Sequence, residues 1–194
     1  MEKGDEGGCR DIWERVTIEG MSGTRLQSPA SRSRTWGEGV RLQSPRRRLL
    51  GQGNGLLVYL VDGERVRNEI DVDFVNGGNA AVYPSYIPHD EIWIDDAQHP
   101  LDRTATALHE LVERDLMLHH GRSYDSAHDL ANMYERAFRR GLRHHRPLTY
   151  NSREVMDAYR SYLCDRQVPK TGRQLDHEIA RVLRRRSRLS SYGR

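Results

Sequence analysis

The sequence predicts an α+β protein, in which a small antiparallel sheet is followed by a hairpin of two helices and then by further helices. Three observations support this class. Residues 56–95 hold short apolar or alternating runs separated by Gly, Pro and Asn, a pattern typical of strands and turns. Residues 101–142 repeat apolar side chains every three or four positions, as amphipathic helices do. The helical period returns after residue 150.

The first 55 residues are predicted to be a disordered leader, because they are rich in Gly, Ser, Arg and Pro. The segment Arg-Leu-Gln-Ser-Pro occurs there twice, at residues 25–29 and 41–45. We expect order to begin near Leu56. The chain then divides into a leader (1–55), a central domain (56–146) and a basic helical extension (147–194).

The predicted sheet consists of short runs joined by turns. Residues 56–61 are apolar and end at an Asp-Gly turn, whereas residues 66–74 alternate apolar and charged side chains, as a half-buried strand does. Residues 76–79, Asn-Gly-Gly-Asn, predict another turn, and residues 80–83 and 91–95 predict two more strands. We expect these strands to form an antiparallel meander.

Two helices are predicted next, the first with Asp102 as its cap and Gly121 at its end, the second running from about residue 123 to Arg140. Each has an apolar stripe, so we expect the two to pack antiparallel. The stripes are Leu101, Ala105, Leu108, Val112 and Leu116, and Ala127, Ala131, Tyr134, Phe138 and Leu142. Later helices follow Asn151 and a Thr171/Gln174 capping box, and are expected to cover the hairpin.

Four residues with metal-binding side chains lie beside these stripes. His109 and Glu113 are four residues apart, so they project from one helix face one turn apart. His128 and Glu135 lie along the corresponding edge of the second helix, and antiparallel packing brings the two edges to the same side. The four side chains are therefore predicted to converge, with His128 as third ligand and Glu135 as fourth ligand or as the partner of a ligand.

The order His-Glu-Leu-Val-Glu at residues 109–113 indicates hydrolase chemistry. In the His-Glu-x-x-His helix of zinc hydrolases, the Glu after the first His is the general base for the metal-bound water. Glu110 holds that position here. Glu113 replaces the second imidazole by a carboxylate, which zinc also accepts. The alternative is a cluster of His and Glu that serves polar packing or a structural metal.

Residues 107–114, followed by Tyr-Asp-x-Ala-His at 124–128 and by Glu135, resemble a zincin-like metallopeptidase family of phage and prokaryotic genomes. The resemblance covers residues 57–140 and rests on a short signature. It implies that residues 56–146 form a zincin-like metal-binding domain, with zinc held by His109, Glu113 and His128 and with Glu110 as base. It names no substrate.

Charge is strongly segregated along the chain, with net values of +3 for residues 1–55, −10 for 56–138 and +10 for 139–194. A basic C-terminal region can neutralise phosphates and so bind nucleic acid. The candidate residues for this binding are Arg181, Arg184, Arg185, Arg186 and Arg188.

Other features narrow the class. No run of about 18 apolar residues is present, which excludes a membrane-spanning helix, and the N-terminus lacks the pattern of a secretory signal. We therefore expect a cytoplasmic protein. The expected function is zinc-dependent hydrolysis of peptide or amide bonds, with a peptide or protein as substrate. The alternative is a noncatalytic nucleic-acid-associated or assembly protein that binds through its Arg-rich tail.

Overall fold

The computed structural model describes residues 44–142, 152–165 and 171–191, without the side chains of 165 and 185–191. This described part begins with a hairpin of two strands. Strand β1 (Arg46–Gly53) pairs antiparallel with β2 (Leu56–Val61). The turn between them uses Asn54 and Gly55, whose φ values of 52° and 73° match the hairpin twist.

The predicted boundary of the disordered leader at residue 55 is wrong, because residues 46–53 form strand β1. This strand pairs with the adjacent β2, and its arginines contact carboxylates farther along the chain, which its Arg- and Gly-rich composition does not reveal. Arg46 forms two contacts with Glu91 at 2.7 and 2.8 Å, and Arg47 contacts both Asp62 and Asp96 at 2.7 Å. The register shifts twice along the pairing with β2, as at β-bulges. Residues 1–43, with the first copy of the repeat, lie outside the described part.

A short helix, α1 (Gly63–Glu69), lies where the alternating pattern predicts a strand, so this prediction is wrong. The side chain of Asp62 accepts a hydrogen bond from the Arg65 backbone N–H at 3.0 Å, which caps the helix. Arg65 and Glu69 form an ion pair one turn apart. Val66, which is fully buried, and Ile70 are four residues apart, a spacing that fits a helix as well as a strand. The cap at Asp62 favours the helix.

The sheet is completed by β3 (Gly77–Asn79) and β4 (Glu91–Asp95). Strand β4 pairs parallel with β2 and antiparallel with β3, so the strand order is β1-β2-β4-β3 and the sheet is mixed. The predicted antiparallel meander is therefore wrong, because α1 and the following loop form a crossover between β2 and β4. The predicted strand at 80–83 is a turn, in which two backbone N–H groups donate to the Asn79 carbonyl.

The predicted helical hairpin is present as α2 (Pro100–His120) and α3 (Tyr124–Leu142). Helix α2 begins with Pro in its first turn after His99, whose ring accepts the Leu101 N–H, so the cap is His99 and not the predicted Asp102. It ends at Gly121 with φ of 60°, as predicted. The apolar stripes of both helices lie in one buried core with β2 and β4.

Helices α4 (Ser152–Asp165) and α5 (Gly172–Ser191) pack on this hairpin, as predicted. The Tyr162 hydroxyl of α4 donates to Asp115 of α2 at 2.7 Å. The predicted capping box starts α5, since the Thr171 N–H donates to Gln174 Oε1 at 2.8 Å. In the described part, no helix combines the length and apolarity needed to cross a membrane. The class is α+β, as predicted.

Candidate metal centre

Three of the predicted ligands meet at one point between α2 and α3. His109, Glu113 and His128 each place one ligand atom within 4.8 Å of the others. Glu113 Oε1 lies 3.5 Å from His109 Nε2 and 2.8 Å from His128 Nδ1. Two ligands bound to zinc at about 2.0–2.1 Å in a tetrahedral arrangement are roughly 3.3 Å apart. The donor types and their spacing therefore fit a divalent metal with small side-chain movements.

Glu135 contacts His109 from the opposite side of the ring. Its Oε2 lies 3.0 Å from His109 Nδ1, although the N–H direction is not aligned with that oxygen. Arg139 holds Glu135 in turn, with Nε donating to Oε1 at 2.9 Å. Metal-ligating histidines commonly have a carboxylate on their second nitrogen, which fixes the orientation of the ring. Of its two predicted roles, Glu135 has the position of a ligand's partner.

Asn79 of β3 joins Glu110 to the metal-binding cluster. Its buried side-chain amide donates to Glu110 Oε2 at 2.8 Å and to Glu113 Oε2 at 2.9 Å. The amide oxygen accepts the Ala81 N–H at 2.9 Å, which fixes the orientation of the side chain. Asn79 therefore holds the predicted base and a predicted ligand side by side. No sequence pattern predicts this role for Asn79, because residues 76–79 have the composition of an ordinary turn.

Gly77 allows β3 to lie close to α2. A Cβ atom at this position would be 2.9 Å from Thr106 Cγ2, 3.0 Å from the Trp93 carbonyl oxygen and 3.2 Å from Glu110 Oε1. These distances are shorter than ordinary van der Waals contacts, so a larger residue would push the strand and helix apart. The glycine thus brings the Glu110 carboxylate within reach of Asn79.

The buried charges change one another's protonation. Burial would lower the pKa of His109, but its contacts with Glu113 and Glu135 outweigh this effect and raise the pKa to about 10. Burial, followed by the negative charge of Glu113, raises the pKa of Glu110 to about 7. Burial also opposes the charge on Glu113, yet hydrogen bonds from His109 and His128 keep its pKa below the usual value. The carboxylates therefore hold a proton on His109, and a metal ion would have to displace that proton.

A cavity of about 440 Å³ opens onto this cluster and onto Glu110. Tyr83 and Tyr124 are among the residues that line it. The Tyr124 ring stacks on His128 with centroids 5.3 Å apart, and the Tyr83 hydroxyl donates to the Asp73 carbonyl at 3.0 Å. Burial raises the pKa of Tyr83 to about 12, so this hydroxyl stays protonated near neutral pH. The cavity is large enough for part of a small ligand or peptide.

The predicted nucleic-acid residues are not at this cavity. Arg181 and Arg184 are exposed on α5. The side chains of Arg185, Arg186 and Arg188 lie outside the described part. The structure thus separates the two sets of predicted residues, with the His and Glu side chains in the helical hairpin and the two described arginines on another helix.

Comparison of the chain with protein-family models, curated proteins and solved structures finds no match. The resemblance to zincin-like metallopeptidases therefore stays a prediction from the motif.

Proposed function

We propose that this protein is a metal-dependent hydrolase of peptide or amide bonds. The supporting observation is a cluster of three ligand side chains that borders a cavity and has a further buried carboxylate, Glu110, beside it. Structural zinc sites have four protein ligands, whereas catalytic sites have three and leave one position open. The described residues supply three ligands, His109, Glu113 and His128, which favours the catalytic type.

When bound, zinc would lower the pKa of water to about 7 and polarise a carbonyl group as a Lewis acid. Glu110 would accept the proton of the attacking water and transfer it to the leaving amine. A pKa near 7 suits both transfers at neutral pH. Asn79 would keep the Glu110 carboxylate in position, and Glu135 would hold the His109 ring.

The lining of the cavity supports a peptide as substrate. Asn76 and the backbone of Gly77 border the same cavity as the proposed metal ligands. A peptide bound there would place a carbonyl group beside the proposed ligands. Tyr83 and Tyr124 would contact the side chains of this peptide.

The proposal is tested by measuring metal content and cleavage of a mixed peptide library on the same samples of zinc-loaded protein. Glu110→Gln should keep the metal and lose cleavage by at least about 100-fold, because general-base catalysis is worth about that much. Glu64→Gln is the matched control, since Glu64 is exposed on α1. It should keep both metal and cleavage.

Two other outcomes would overturn the proposal. Loss of metal from Glu110→Gln would make Glu110 a ligand and remove the proposed base. A wild-type protein that binds one metal ion and cleaves no peptide would favour the alternative, a noncatalytic protein with a structural metal.

A further inference from the structure

Helix α5 buries one face and exposes another. Its apolar residues Leu175, Ile179 and Leu183 are buried in the core shared with the hairpin. At Gly141 of α3 a Cβ atom would lie only 2.5 Å from Leu183 Cδ1, so α5 packs closely on the end of α3. The opposite, exposed side is the basic face of α5, which consists of Arg173, His177, Arg181 and Arg184.

Both acidic residues of α5 have partners on neighbouring helices. Asp176 pairs with Arg140 of α3, where the Arg140 Nε donates at 3.0 Å. Glu178 is buried and accepts a hydrogen bond from Ser161 of α4. The exposed side of α5 therefore carries three arginines, with the hydrogen-bonded carboxylate of Glu178 beside them.

We infer that the basic face of α5 binds the phosphate backbone of a nucleic acid duplex. Arg173 and Arg184 are eleven residues apart, which is about 16 Å along a helix at 1.5 Å per residue. Measured along the duplex axis, at 3.4 Å per phosphate, this length spans roughly five phosphates of one strand. The four residues of the basic face, together with Gln174 and Glu178, line a broad depression of about 640 Å³, in which three arginines outnumber one carboxylate.

A duplex fits this surface better than a single strand does. Proteins that bind single strands combine basic residues with aromatic side chains on which bases stack. From Gly172 to Arg184, α5 contains no Phe, Tyr or Trp. Recognition would then depend on charge alone and would be independent of base sequence.

The basic face and the proposed hydrolase site are separate. Helix α5 contacts the end of α3 at Arg140 and Gly141, twelve or more residues after the proposed ligand His128. This separation is about 18 Å along the helix axis. Nucleic acid binding can therefore be tested, and can fail, independently of metal binding and cleavage.

The experiment is fluorescence anisotropy with a labelled 20-base-pair DNA duplex in 50–200 mM salt. The test variant is Arg173→Gln/Arg181→Gln/Arg184→Gln. The control is Arg122→Gln/Arg153→Gln/Arg160→Gln, which removes the same charge from exposed arginines elsewhere. The test variant should bind at least about tenfold more weakly than the control, and the slope of log affinity against log salt should fall by about 2.7 for three lost phosphate contacts.

Parallel titrations with an RNA duplex, single-stranded DNA and polyglutamate identify the partner. Binding to both duplexes supports recognition of the shared phosphate backbone, and binding to one of them supports that source. The inference is overturned if the wild type does not bind either duplex at 50 mM salt, if both triple variants lose affinity equally, or if a single strand binds more tightly. Tighter binding of polyglutamate would instead identify an acidic protein as the partner. Unchanged circular dichroism and metal content show that the variants are folded.

Discussion

The metal-binding cluster and the basic face of α5 both concentrate charge, but they do so in opposite environments. His109, Glu110 and Glu113 are 6%, 7% and 2% exposed and converge on one another, whereas Arg173 and Arg181 are exposed. Burying a charge is costly unless a partner compensates it, and an exposed charge costs little. The comparison teaches that substitutions of charged or polar groups should affect the free energy of unfolding more at the cluster than on the basic face.

The largest expected effect follows from removal of a proposed metal ligand. His109→Ala and His128→Ala should each lower metal affinity by more than about 100-fold, because loss of a ligand's partner alone costs up to that much. His177→Ala, on the basic face of α5, should leave metal affinity unchanged. Metal content after dialysis and competition with a chelating dye measure the three affinities.

Retention of one tightly bound metal ion in either cluster variant would show that the ligand set is wrong. Loss of metal from His177→Ala would remove the proposed distinction between the two regions. Circular dichroism of all three proteins separates either result from unfolding.

A smaller effect is expected from Asn79→Ala, measured in metal-free protein by urea denaturation. The variant leaves two buried carboxylates without their shared donor, which should lower the free energy of unfolding by about 1–3 kcal/mol. Arg181→Gln on the basic face should change it by less than about 0.5 kcal/mol. Equal effects of the two substitutions would contradict the contrast between buried and exposed charge.

For each pH unit, a further effect of about tenfold is expected, and it is confined to the cluster. The pKa of about 10 means that His109 carries a proton at neutral pH, and a metal must displace this proton. Metal affinity should therefore rise by about tenfold per pH unit between pH 7 and 9, as one released proton requires. Calorimetry in buffers of different ionisation enthalpy measures the release, and a value near zero would contradict the assignment.

The convergence of His109, Glu113 and His128 could be predicted because it depends on local geometry. Positions on two helices are set by 100° per residue, and the apolar stripes determine which sides meet. The C-terminal end of α2 and the start of α5 were also encoded locally, by Gly121 and by the capping box at Thr171, whereas the predicted cap at Asp102 lies inside α2. Helical periodicity is therefore sufficient to predict that these three side chains converge.

The missed features have two causes. Strand β1 pairs with its neighbour β2 across Asn54 and Gly55, but its Arg- and Gly-rich composition resembles disorder. The parallel register of β4 depends instead on distant parts of the chain, which the crossover containing α1 brings together. Asn79 lies 31 residues before Glu110, so no local pattern connects the amide with the carboxylate it orients. Residues 66–70 fit both a strand and a helix. The dipeptide Asp62-Gly63 is typical of a turn, although Asp62 caps α1 in the structure.

Strand β1 also has a consequence for solubility. It lies at an edge of the described sheet, where an exposed strand can recruit another chain and start aggregation. Its register is interrupted twice, its first three residues are arginines, and its glycines lie against α4, with Gly53 beside Met156. These features prevent a flat, regular edge from forming. The Arg- and Gly-rich composition that resembles disorder thus protects the folded sheet from self-association.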